Sequence, residues 1–293
     1  MKLSKYQLPI FFFLAFAITW TAQITAYLYA FPNDINLTNE SNFLNFVNIG
    51  GLPPGFLPYL LLFSFSFGPT VAGIIVTYWF YGNKGMRGIL DQLFAIRLPG
   101  KWYLLAITIP VGLVLASLLL GFVLSGFQSI QYEFLVPLSL FIPFFLYMTI
   151  FTGLAEEVGW RGYALPQLQK KYTAEKASWI LGIAWGLWHL PVNLMVPFLS
   201  GNLQIPYIVM ILLALTLGIA GWTIVLTWFY NNTKSLFLII FIHGFMNTLQ
   251  SYLILSSNNQ IAPMLYGILP WIVATYLLKK YGGKTLLVPS NKQ

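Results

Sequence analysis

The chain has 293 residues, of which 58% are apolar, 18% aromatic and only 8% charged, with a mean hydropathy of +0.75. Soluble domains carry about 25% charged residues, so this composition excludes a soluble globular protein, and stretches that are apolar on every face exclude the alternating pattern of a transmembrane β-barrel. There is no cysteine, which excludes disulfides, thiolate zinc sites and cysteine nucleophiles; the net charge of +8 comes from basic residues scattered singly between apolar runs, a positive-inside pattern rather than a nucleic-acid footprint.

A helix crosses the hydrocarbon core with about 20 apolar residues, and that measure predicts an all-α polytopic membrane protein of about eight transmembrane helices. They lie near 8–31, 57–81, 102–125, 135–156, 177–199, 206–230, 236–256 and 262–280, within one integral membrane domain spanning 1–293. The first follows Lys2 and Lys5 but runs to Ala30, too long for a cleaved signal segment, and is read as a retained helix. Asn36 and Asn39 in the following loop match glycosylation sequons, a frequent chance pattern. Between the second and third spans, residues 84–101 place Met86, Ile89, Leu90, Leu93, Phe94 and Arg97 at helical spacing. That pattern fits a short helix lying on the membrane surface and equally a solvated linker. With both termini in the cytoplasm, all 15 basic residues fall on the inner side, whereas the reverse orientation puts every one outside.

From the fourth span onward, polar residues appear where charge is costly, about 2.5–3.5 kcal/mol at the bilayer centre even on the lenient insertion scale. The fourth span closes on the sole adjacent carboxylate pair, Glu156-Glu157, followed by Arg161. The fifth carries His189 and the seventh His243, which are the only histidines, and each is followed four residues later by an asparagine, Asn193 and Asn247. Residues four apart share a helix face, so each His/Asn pair can serve a common object. Three helices thus bring acid/base groups to the inner half of the membrane, with Glu156 placed near the cytoplasmic end of its span.

Adjacent helical residues point about 100° apart, so the two glutamates have different tasks. Glu157 and Arg161 are spaced for a helical ion pair with the acid N-terminal, the favourable order; Glu156 is left to face a cavity. There it can take a proton from water and return it, with His189 sharing or orienting that water. His243 and Asn247 offer N–H donors for the oxyanion of a tetrahedral intermediate. The same groups admit a zinc site of Glu156, His189 and His243 with an open fourth position, although no His-Glu-x-x-His motif is present and the spacing itself does not argue for a metal.

The bland readings are that a lone membrane histidine bonds a neighbouring helix and that a Glu/Glu/Arg cluster is an interfacial salt bridge. Gly182-x-x-x-Gly186 reads as close helix packing and Pro191 as a bend in the fifth helix. Trp160, Trp185 and Trp188 read as packing and interface anchors. Economy lifts the polar groups above these readings, since both histidines of the chain are followed one turn later by asparagine.

The motifs Glu156-Glu157-Val-Gly-Trp-Arg161, Trp185-Gly-Leu-Trp-His189 and His243-Gly-Phe-Met-Asn247 resemble, complete and in order, those of the CAAX-protease and bacteriocin-processing (Abi, CPBP) family of intramembrane proteases, which includes the type II CAAX prenyl endopeptidases. The resemblance covers about residues 150–250, and residues 1–130 match nothing beyond a plausible topology. It implies an intramembrane endopeptidase in which Glu156 and His189 activate water while His243 and Asn247 stabilise the oxyanion, with Glu157, Arg161 and Asn193 in support. It leaves a metalloprotease and a glutamate-type mechanism both open, with no cofactor favoured and Zn2+ admitted. It implies a peptide or protein substrate, either a prenylated C-terminus with its lipid between helices or a bacteriocin or peptide precursor, and no nucleic acid. The expected location is the cell membrane with the active site facing the cytoplasm. Arg161 or the basic inner loops are expected to attract a substrate's C-terminal carboxylate. Two other classes compete: a proton-coupled transporter using Glu156, His189 and His243 as a relay, and a non-enzymatic immunity or scaffold protein.

Overall fold

The computed structural model describes residues 6–35, 38–48, 55–57, 59 and 67–289. The described residues are helical throughout the bundle, and their one β-type contact is an isolated bridge between Tyr132 and Ser257. Among the described residues nine helical elements follow in order: α1 (Gln7–Ala30), α2 (Asn39–Val47), α3 (Gly68–Leu93), α4 (Gly100–Leu124), α5 (Leu138–Gln169), α6 (Ala174–Leu199), α7 (Ile205–Thr233), α8 (Leu236–Leu255) and α9 (Ala262–Tyr281).

Among the described residues, seven of these are long and apolar enough to cross a membrane: α1 and α4 to α9. The expected eighth, at 57–81, falls partly outside the described residues, as do Lys2, Lys5, Lys292 and the Asn36 sequon. Its described remainder is α3, which carries Lys84, Arg87 and Asp91 in its second half. The stretch 84–101 is helical to Leu93 and again from Gly100, where α4 begins. Gly82, at φ +56 and ψ −151, breaks α3 just before it, a conformation that glycine adopts without steric cost. Beyond the break Ile89 is buried and Leu90 exposed, so this segment has the two faces expected of a surface helix.

The larger departure concerns the fourth span, which does not end at Glu156. It continues as α5 to Gln169. The Glu/Glu/Arg segment lowers the hydropathy but stays helical because its charges meet one another inside the protein, and Glu157 and Arg161 are fully buried. Around them α5 opens into wide i→i+5 turns at Thr149–Leu154 and Val158–Ala164, a helix irregularity found mostly at functional sites.

Glycines let the helices carrying the polar groups approach closely. A Cβ on Gly153 would lie 2.6 Å from the Ile240 carbonyl oxygen of α8, and one on Gly182 would lie 2.7 Å from the Ala220 Cα of α7. The Gly182-x-x-x-Gly186 stripe therefore packs α6 on α7, as read from its spacing. Polar bonds gather the ends of the bundle. Tyr81 Oη donates to Gln7 Oε1, Tyr230 Oη to Gln92 Oε1, Ser235 Oγ to the Ala95 carbonyl and Asn231 Nδ2 to the Thr285 carbonyl. These bonds bring the start of α1, the ends of α3 and α7 and the C-terminal tail to one end of the bundle, where the lysines lie. At the other end Ser251 Oγ donates to Glu40 Oε1 and the Glu133 amide to the Ser256 carbonyl. The charge segregation assumed from sequence is thus a property of the fold.

Candidate active site

Glu156 sits about 20 Å along α5 from Gln169, and His189 about 22 Å along α6 from Ala174, at about 1.5 Å per residue. By the same measure His243 lies about 10 Å along α8 from Leu236, so all three groups sit inside the bundle rather than at the helix ends. The expectation that placed Glu156 near a helix end failed because the length of α5 was underestimated. Glu156, His189, His243 and Asn247 line one cavity of about 370 Å³, which brings together groups from α5, α6 and α8.

Trp185 organises this cluster. Its Nε1–H donates to Glu156 Oε2 at 2.5 Å, its ring lies 5.4 Å from the His243 ring and 6.0 Å from the His189 ring, and the Arg161 guanidinium stacks 4.4 Å from its centroid. The sequence reading made Trp185 a packing residue. The structure shows it bonded to the cavity carboxylate, a contact that its place one helical turn before His189 was the signal for. Trp188 does pack, edge-on against Trp160, and its ring also meets His189 edge-on at 4.8 Å.

The two histidines present themselves alike. His189 sits at the junction of two helical segments, Ala174–Trp188 and Leu190–Leu199, with φ −79 and ψ 1, where Pro191 in the first turn of the second segment accommodates the break. Its Nδ1 lies 2.8 Å from the Trp185 carbonyl oxygen. A carbonyl only accepts, so Nδ1 carries the proton and Nε2 is the free acceptor. His243 Nδ1 lies 2.7 Å from Glu157 Oε1, which fixes the same tautomer against an ionised carboxylate. In each ring, therefore, Nδ1 is spent on the protein and Nε2 is left for chemistry.

Glu157 is the hub behind His243. Arg161 Nη1 donates to both of its oxygens, at 2.8 and 2.9 Å. The i,i+4 pairing read from sequence is present, and His243 is a partner that spacing did not reveal because it lies 86 residues away on another helix. Arg161 is fully buried and is absent from the cavity wall, which corrects the expectation that it attracts a substrate carboxylate. Asn247 donates through Nδ2 to Thr152 Oγ1 at 3.0 Å, which leaves its second amide hydrogen available. Asn193 does not share the cavity with His189: its Nδ2 donates to the His189 carbonyl at 2.9 Å and so supports the helix junction.

Among the described residues no three His, Asp or Glu side chains form a group able to hold a metal ion. Of the set Glu156, His189 and His243, Glu156 Oε2 is bonded to Trp185 and each histidine Nδ1 to the protein, which leaves Glu156 Oε1 and the two Nε2 atoms uncommitted.

Two comparisons with known proteins meet this geometry. Residues 138–249 match the family model "Type II CAAX prenyl endopeptidase Rce1-like", a segment that runs from the start of α5 to α8 and contains all three motifs. The chain is also 28% identical over 287 residues, covering 94% of each chain, to CAAX prenyl protease 2 of Methanococcus maripaludis.

Proposed function

We propose, on the premise that this chain is a membrane protease of the Rce1-like type II CAAX prenyl endopeptidase kind, that it cleaves a peptide bond in the cavity between α5, α6 and α8 with Glu156 as general base. The observation that carries this reading is the convergence of Glu156, His189, His243 and Asn247 on one cavity. Glu156 accepts a proton from water as the hydroxide adds to the scissile carbonyl carbon. His189 Nε2 accepts the water's other hydrogen as a hydrogen bond and holds its lone pair on line. The oxyanion takes hydrogen bonds from the free Asn247 N–H and from His243 Nε2–H when that ring is protonated beside the Glu157 carboxylate. Glu156 then gives its proton to the departing nitrogen, the C–N bond breaks, and a carboxylic acid and an amine leave. Trp185 holds Glu156 through each step.

The substrate is a peptide or protein segment of the CAAX type, taken from the bilayer, and the proton transfers use this chain's own residues. The protein lies in the cell membrane with its lysine-bearing end in the cytoplasm, by the positive-inside rule. The cavity wall also includes Gln250 and Asn39. The reading is tested with Glu156→Gln in the reconstituted protein. Peptide cleavage should be abolished while expression and melting temperature hold, and retained turnover would refute the assignment.

A further inference from the structure

We propose that Gln23, from α1, is a substrate-binding residue whose side-chain carboxamide hydrogen-bonds the backbone of the peptide held beside His189. Gln23 lines the same cavity as Glu156 and His189, and it is 4% exposed. Its Oε1 is buried without a hydrogen-bond partner. A buried acceptor left unpaired is costly, and at this depth in a membrane helix polar residues face the protein interior and mark function.

The placement of Gln23 is built rather than incidental. One turn before it, Trp20 Nε1 donates to the Trp188 carbonyl at 3.1 Å. One turn after it, Tyr27 Oη donates to the Val192 carbonyl at 3.4 Å. Residues 20, 23 and 27 share a helix face, so these two bonds pin α1 against 188–192 on both sides of Gln23, with His189 inside that stretch. On the facing segment Trp188, also in the cavity wall, has its Nε1 buried and unpartnered. An acceptor on α1 and a donor on α6 thus line one cavity without a bond for either.

A peptide entering a cavity at membrane depth leaves water with every backbone N–H and C=O needing a partner. An orphan carboxamide oxygen suits a backbone N–H, and an orphan indole N–H suits a backbone carbonyl. A prenyl or acyl chain offers neither complement. The ligand class that fits is therefore the extended peptide backbone itself, so the residue acts on register and affinity rather than on side-chain identity. This rests on the protease reading above and adds α1, outside the matched segment 138–249, to the substrate site.

The test replaces Gln23 by the near-isosteric leucine and replaces the amides of a cleaved reporter peptide, one at a time, by esters that lack the N–H. With the wild type, one ester near the scissile bond should lower kcat/KM by about 3–10-fold, the size of a neutral hydrogen bond. Gln23→Leu should lose a similar factor on the all-amide peptide through KM, become insensitive to that ester, and melt no lower than the wild type. Unchanged kcat/KM in Gln23→Leu, or equal ester sensitivity in both proteins, would overturn the proposal. Binding of the labelled reporter peptide to Glu156→Gln, with and without Gln23→Leu, reads the same contact without turnover. A weakened affinity there supports Gln23 even if the hydrolytic assignment fails, and an unchanged one overturns Gln23 even if that assignment holds.

Discussion

Replacing Glu157 by glutamine removes one charge from a site where two groups depend on it. Arg161 Nη1 donates to both Glu157 oxygens and His243 Nδ1 is 2.7 Å from one of them, with Arg161 and Glu157 wholly buried. Arg161 Nε and Nη2 have no hydrogen-bond partners, so the stranded cation keeps only the face of Trp185 as a direct contact. Removing one member of a buried ion pair costs about 3–5 kcal/mol. At about 2–4 °C per kcal/mol for a domain of somewhat smaller size, the melting temperature should fall by about 6–20 °C, followed by tryptophan fluorescence of the purified protein. The double variant Glu157→Gln/Arg161→Met removes the stranded cation and should recover most of that loss. It should not recover peptide cleavage, because His243 still lacks the carboxylate that fixes its tautomer and orients its ring. A Glu157→Gln protein that melts within 2 °C of the wild type, or a double variant that recovers activity as well as stability, would refute this account of the hub.

Asn247→Ala should lower kcat by about 10²–10³-fold with little change in KM, the loss typical of one oxyanion donor; equal effects on both parameters would assign Asn247 to substrate binding instead. Prolonged chelation should leave cleavage intact, and a loss restored by added Zn2+ would replace the water mechanism given above with a metal one. The absence of cysteine gives a clean background for topology. A single cysteine at position 170 should react with an impermeant maleimide only after the cells are opened, whereas one at position 39 should react in intact cells. The reverse pattern would invert the orientation.

Much of this protein is legible in its sequence because the bilayer is a severe solvent. It demands apolar runs of fixed length and helices that satisfy their own backbone, so fold class and most of the spans follow from hydropathy, as does the segregation of lysines. It also makes each polar residue within a span conspicuous, which is why Glu156, His189, His243 and Asn247 stood out before any coordinates and do line one cavity. Local spacing also carried the Glu157–Arg161 pair, a contact made within one helix. What spacing along one helix cannot carry is a partner on another. The bond from His243 to Glu157 spans 86 residues, that from Trp185 to Glu156 spans 29, and the placement of Gln23 depends on bonds spanning 165 and 168. The same limit explains the misjudged length of α5. Hydropathy charges each ionised group the full cost of leaving water, whereas the folded bundle offsets that cost by burying Glu157, Arg161 and His243 against one another. Sequence thus determined which residues the membrane would make exceptional; tertiary packing decided which of them face the cavity, which hold their neighbours in place, and how deep in the bundle they meet.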